Sequence, residues 1–204
     1  MALAAFEIGW IGLWTPAMTS IAIVATSVVF ASLIGLPIGV LLAESPLAWR
    51  IGKPLLDVMQ TTPSFVYLVP VVMLFGIGTV PGTIATVIFA TPALIKLTYL
   101  GIHSVPVEST EAGIAYGATR WQQLRYVKFP LAMETIKAGL NQTIMLSIVM
   151  STIAAMIGAE GLGLTVLRGI SRLDVGMAAT GGLSLVFLAL AIDGLTQTRG
   201  GGAA

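Results

Sequence analysis

The chain has no cysteine and a single histidine, His103, among 204 residues. The first absence excludes disulfides, thiolate metal sites and thiol catalysis together. The second leaves one imidazole, beside a helix start and without partner groups, which fits an interfacial side chain better than a catalytic base. Charge is scarce too: 9% of residues are Asp, Glu, Lys or Arg, where a soluble domain carries about 25%. A formal net charge of +1 gives no electrostatic footprint for nucleic acid. There is no G-x-x-x-x-G-K-[ST] loop, so any ATP chemistry belongs to a partner.

What is present is apolar. Hydrophobic residues make up 56% of the chain, too much for the surface of a soluble protein of this size to cover. Charge-free runs extend from Ile8 to Ala43, Val58 to Ile95, Ala138 to Ala159 and Val175 to Ile192, each near or beyond the about 20 residues that cross a bilayer as helix. The second run is long enough for two spans, and Gly76, Gly78, Pro81 and Gly82 mark the turn between them. The expected fold is an all-α membrane protein, a single domain over 1–204 with spans Met18 to Ala43, Leu55 to Gly76, Thr83 to Leu100, Leu131 to Ile157 and Gly176 to Gln197. The N-terminus lacks the basic residues and cleavage site of a secretory signal, so the first span is expected to stay in the protein.

Lys and Arg orient such a chain, being retained on the cytoplasmic side. With residues 103–130 inside, the inner loops and tail hold Arg50, Lys53, Arg120, Arg125, Lys128 and Arg199, with Lys96 and Lys137 close to the same face. The opposite face has Arg168 and Arg172. The N-terminus is therefore expected outside and the C-terminus in the cytoplasm, with Trp10, Trp14 and Trp49 in the interfacial belts. Asp57, Lys96, Glu134, Lys137 and Asp193 fall near span ends, where a charged side chain reaches water, and read as interface anchors rather than a proton relay.

The stretch Glu111 to Pro130, EAGIAYGATRWQQLRYVKFP, is charged and amphipathic between these runs. Ser104 and Pro106 suit a helix start, Glu108 and Glu111 complement the positive end of its dipole, and Gly117 ends it. Thr119 and Gln122 have capping-box spacing and open a second helix, carrying Arg120, Arg125 and Lys128, that is expected to stop before Pro130. The product is a rigid elbow whose small residues, Ala112, Gly113, Ala115, Gly117 and Ala118, admit another protein to the backbone. An amphipathic helix lying on lipid would carry bulkier apolar residues.

Two further patterns concern the spans. Gly139, Thr143, Ser147, Ser151, Ala155 and Ala159 recur every four residues, a small-residue ridge suited to close helix approach, either at a central contact or pathway or within one subunit. Met59, Gln60, Thr61, Thr62, Pro63 and Ser64, followed by Pro70, make a polar, broken span, which lipid tolerates where it lines a cavity. This segment, with Asn141, Ser147 and Ser151, is expected to border a route through the membrane. Phe65 and Tyr67 could offer ring faces to a quaternary ammonium ion.

Glu-Ala-Gly-x-x-x-Gly, nine residues, then Val-x-Phe-Pro resembles the coupling motif of ABC importer permeases, in which Gly113, Val127 and Phe129 replace Ala, Ile and Leu. LLDVMQTTPSFVYLVPVVMLFGIG (Leu55 to Gly78) and GLNQTIMLSIVMSTIAAMIGAEGLGLTVLRGISRLDVG (Gly139 to Gly176) are similar to the permease subunits of glycine betaine/proline osmoprotectant importers. Glu160 departs from the small residue expected in GAEGLG, and the chain is shorter at its N-terminus than longer members. The resemblance implies a type I importer in a bacterial or archaeal cell membrane. Two copies of a non-catalytic permease would form the pathway, two cytoplasmic ATPase subunits would bind ATP and Mg, and an external binding protein would deliver solute. Glu111, Ala112 and Gly117 map onto the positions that seat in the ATPase groove. Betaine, choline, carnitine, proline and sulfonium solutes all fit that branch. An importer permease for another solute, such as an amino acid, is the alternative. An ion-coupled carrier would need mid-span acids or an inverted repeat of broken helices.

Overall fold

A helix can sit at the centre of a bundle only if its neighbours approach closely on both sides, and the third span is built for that. In the computed structural model, which describes residues 12–197, the chain forms α1 (Trp14–Glu44), α2 (Pro46–Thr61), α3 (Leu68–Phe75), α4 (Thr79–His103), α5 (Val107–Ala115), α6 (Arg120–Gln123), α7 (Phe129–Ile153), α8 (Leu162–Ser171) and α9 (Val175–Gln197). Trp10 and Arg199, used above for orientation, lie outside the described residues. Among the described residues there is no strand.

Helix α4 is the axis: 56% of its apolar window is buried, against 17% for α9. Its neighbours meet it through glycines. A Cβ on Gly39 of α1 would lie 2.6 Å from the Thr98 Cβ, and one on Gly139 of α7 would lie 2.9 Å from the Leu97 Cβ. In lipid no hydrophobic drive holds helices together, so this close packing is the main attraction. The ridge from Gly139 to Ala159 is buried within the chain: Thr143 and Ser147 are 0% exposed. Of the two readings of that ridge, packing inside one subunit matches this burial.

The second expected span, Leu55 to Gly76, is not one rod. Helix α2 and the segment Ser64–Phe75, a 3-10 turn leading into α3, are bent by 107°. Pro63 supplies the reason: it lacks a donor, and the residue before it is driven out of the helical region, so Thr62 is extended at φ −69°, ψ 128°. Pro70, the other proline expected to distort this span, sits in the first turn of α3 and is accommodated. Trp49 stacks on Tyr99 and Asp57 meets Lys96, so α2 crosses the C-terminal third of α4, while α3 packs beside Ala85. Ser45 caps α2, its hydroxyl accepting from the Ala48 amide at 3.3 Å.

The second arm of the elbow does not stop at Pro130. Residues Leu124–Lys128 form a π-turn in which the Phe129 amide donates to the Leu124 carbonyl, and the helix runs on as α7 with Pro130 in its first turn. The wider turn makes room for a residue that can neither donate nor fit a tight helix. One continuous rod, Arg120–Ile157, results.

At the far end, where an outer loop was expected, the chain inserts α8. Its buried residues Leu162, Thr165 and Gly169 follow the 3-4 spacing of one helix face. Gly161 before it has φ +128°, and a Cβ there would lie 2.5 Å from the Ser20 Oγ. The same hydroxyl accepts from the Leu162 amide at 2.9 Å, and Gly78 N–H donates to the Ile157 carbonyl at 2.9 Å, so this end is stitched across α1, α4 and α8. Ser20→Ala is expected to leave the buried Leu162 amide unpaired and to destabilise by about 1–3 kcal/mol, read as a lower thermal aggregation midpoint of the purified membrane protein.

Candidate functional site: an exposed elbow and a polar depression

The elbow is closed by two local devices that the sequence encodes and by one brace between its arms. Helix α5 ends in a Schellman arrangement: Gly117 N–H donates to the Ile114 carbonyl at 2.8 Å and Ala118 N–H to the Gly113 carbonyl at 3.0 Å, with Gly117 at φ +76°, a conformation that favours glycine. Thr119 and Gln122 form the reciprocal capping box of α6. Gln123 Nε2 then reaches back to the Thr110 carbonyl at 2.6 Å, bracing one arm on the other. That brace was missed in the sequence, because contacts between Gln and a carbonyl thirteen positions away carry no local signal.

Glu108, Glu111, Ala112, Gly117, Arg120 and Pro130 are exposed, and Gly113 and Ala118 half-buried. Around them stand large apolar side chains facing outward, with Tyr116 94%, Tyr126 70% and Trp121 66% exposed. Leu124 alone in this stretch is buried, against Ile102, Ala132 and Ile136. Lys128 Nζ lies 2.6 Å from Glu44 Oε1, tying the rod to the end of α1. The elbow is thus a braced projection whose free surface mixes small, aromatic and charged groups.

The polar segment at the bend is placed with equal definition. Thr61 and Thr62 hydroxyls turn back onto the Asp57 and Val58 carbonyls, Met59 accepts from the Tyr67 hydroxyl, and Pro63 and Ser64 form the corner. Gln60 is exposed and lines a depression of about 500 Å³ with Lys96, Phe89, Ala93 and Gln142. Asn141 faces another way, Nδ2 donating to Asp193 Oδ1 of α9 at 3.2 Å. Ser147 and Ser151 are buried, their hydroxyls donating to the Thr143 and Ile148 carbonyls at 2.8 Å. The bend and the depression therefore come together, while Asn141, Ser147 and Ser151 stand apart. Tyr67 serves as packing, edge-on to Phe89 with ring centroids 5.8 Å apart, and His103 stacks on Tyr99. Glu160 is exposed in the turn before α8, its amide donating to Thr79 Oγ1 at 3.2 Å.

Residues 35–197 match the family described as binding-protein-dependent transport system inner membrane component. The chain belongs to this family. It is 56% identical over 193 residues to the glycine betaine/proline betaine transport system permease protein ProW of Escherichia coli, covering 95% of this chain and 54% of that protein. It is 45% identical to the glycine betaine transport system permease protein OpuAB of Bacillus subtilis, covering 93% and 67%. The chain thus spans about half the length of the first of these permeases. Its fold is that of a chain of the inward-facing MetNI methionine ABC transporter, with a TM-score of 0.84 at 22% identity over 94% of this chain and 95% of that one. This family member is an inner membrane component of a transport system, helical throughout its regular structure among the described residues.

Proposed function

We propose that the chain is the non-catalytic permease subunit of an ATP-driven importer for a small osmoprotectant of the glycine betaine class. It would work as two copies, with two ATPase subunits on the elbows and an external binding protein at the opposite end. The observation that carries this reading is the elbow: a braced projection with an exposed small-residue surface, continuous with a membrane-length rod. The 56% identity to a glycine betaine/proline betaine permease supports the solute class.

In this mechanism ATP, with Mg, binds in the partner subunits and draws them together. The elbows move with them. Because residues 120–157 form one rod, displacement passes to α7 without a hinge, and the Lys128–Glu44 ion pair transmits part of it to α1. Ligand and nucleotide then shift the balance between inward-open and outward-open states according to their differential affinity.

The test is reconstitution. The chain is co-expressed with the ATPase and binding protein of its own transport system in a host lacking osmoprotectant uptake. ATP-dependent accumulation of radiolabelled glycine betaine, and recovery of the ATPase on the tagged permease, are the expected results. Recovery of the ATPase with uptake only of an unrelated solute, such as an amino acid, would overturn the solute class. Failure to recover the ATPase would overturn the coupling role.

A further inference from the structure

The depression beside the bend has the chemistry to hold a zwitterion. Phe89, Ala93 and Lys96 recur at helix spacing on one face of α4, so the small Ala93 forms a floor between a ring and an ammonium group. Lys96 lies seven residues, roughly 10 Å, inside the end of its helix. Rather than extending to water, its Nζ donates to Asp57 Oδ1 at 2.5 Å and Gln60 Oε1 at 2.6 Å. An ammonium group has three donors, and two are used. The third remains for an incoming acceptor, with the group held at the wall by its two partners. Gln142, exposed in the middle of α7, faces the same space and offers an amide. At the other end Phe89 is fixed against Tyr67, the two ring planes 65° apart, and the Tyr67 hydroxyl is anchored on the Met59 carbonyl. Leu97 and Leu146 complete an apolar wall.

The geometry points to a solute station inside the permease, resting on the functional reading above, in which Lys96 and Gln142 receive the carboxylate of a methylated amino acid and Phe89 with its apolar neighbours receives the trimethylammonium end. A carboxylate at Lys96 gains a charge-assisted hydrogen bond. A quaternary ammonium gains the ring quadrupole and apolar contact without demanding hydrogen bonds. The volume falls within the about 300–1,000 Å³ of small-molecule sites. Neither feature suits an uncharged solute, and choline, with the cation but no carboxylate, satisfies one end only.

The absence of native cysteine makes the test direct. Leu100, like Leu146, lines the depression, so Leu100→Cys and Leu146→Cys place thiols on its wall, and Arg172→Cys places one at the exposed end of α8 as a control. In the assembled transporter, without binding protein, modification by a water-soluble methanethiosulfonate is followed on the permease by mass. Saturating glycine betaine is expected to slow modification at 100 and 146 about tenfold, as occupancy at ten times Kd requires, and to leave 172 unchanged. Choline is expected to protect more weakly. Lys96→Gln and, separately, Gln142→Leu are each expected to weaken protection by glycine betaine and to bring it toward that by choline. Gln142→Leu leaves the Lys96–Asp57 pair intact and so decides the matter if Lys96→Gln fails to assemble. Equal rates with and without glycine betaine at both wall positions, or equal protection by choline and glycine betaine, would overturn the station. Betaine uptake by a complex showing no protection would sink the station alone; absence of betaine uptake would sink the functional reading beneath it.

Discussion

Replacing Gly117 by arginine is expected to reduce glycine betaine uptake by the assembled transporter roughly a hundredfold, near the upper end of coupling between sites, while the permease still inserts and accumulates. Two effects contribute, and they separate. The residue sits at φ +76°, where an L side chain costs about 1–2 kcal/mol, a penalty confined to the exposed end of α5. A Cβ there meets nothing within 4 Å, so the new side chain leaves the backbone into open space, away from the membrane core. The guanidinium instead projects from the corner between Tyr116 and Ala118, where the proposed ATPase would approach the backbone. Gly117→Ala carries the backbone penalty without the bulk and is expected to retain most uptake and ATPase recovery. Normal recovery of the ATPase on Gly117→Arg, together with undiminished uptake, would show that this corner is not the coupling surface.

The features legible in the sequence were those with local causes. Gly117 and the Thr119–Gln122 pair each encode their geometry within a few residues, and both appear in the structure as the Schellman arrangement and the capping box. The long charge-free runs announced α1, α4, α7 and α9 for the same reason. What the sequence hid depended on partners. The bend at Pro63 was signalled as a break, but its angle of 107° follows from where α2 finds Leu42, Tyr99 and Lys96. Pro130 looked like a helix stop because the usual penalty assumes an α-helical turn; the π-turn before it removes that assumption. Helix α8 had a readable 3-4 pattern at Leu162, Thr165 and Gly169, obscured by the glycines of GAEGLG. Gln60 and Gln142 line one depression because the bend carries α2 back across α4. Ser147 and Ser151, equally polar in sequence, turn inward and bond to their own helix. Polarity in a span marks either a cavity or a satisfied hydroxyl, and only the third dimension separates the two.

The second large effect concerns stability, at the crossing of α8 and α9. A Cβ on Gly169 would lie 2.5 Å from the Ala178 amide nitrogen and 2.7 Å from its Cα. These neighbours are backbone and cannot rotate away, unlike the end of a flexible side chain. Gly169→Val therefore requires the helices to separate. That would also open the close approach of Gly181 to the Val166 amide, where an added Cβ would stand 3.2 Å away, since both glycines serve the same crossing. Overpacking of this kind costs about 1–3 kcal/mol in well-packed cores, and helix α9 is the least buried of the long helices, with 17% of its apolar window buried. Gly169→Val is accordingly expected to lower the thermal aggregation midpoint and the yield of monodisperse protein severely. Gly182→Val, one residue beyond the contact and with nothing within 4 Å of its added Cβ, is expected to behave like the parent chain. Both proteins carry the same change in composition and helix propensity, so a difference between them reports the crossing itself; equal midpoints would mean that α8 and α9 do not meet through Gly169.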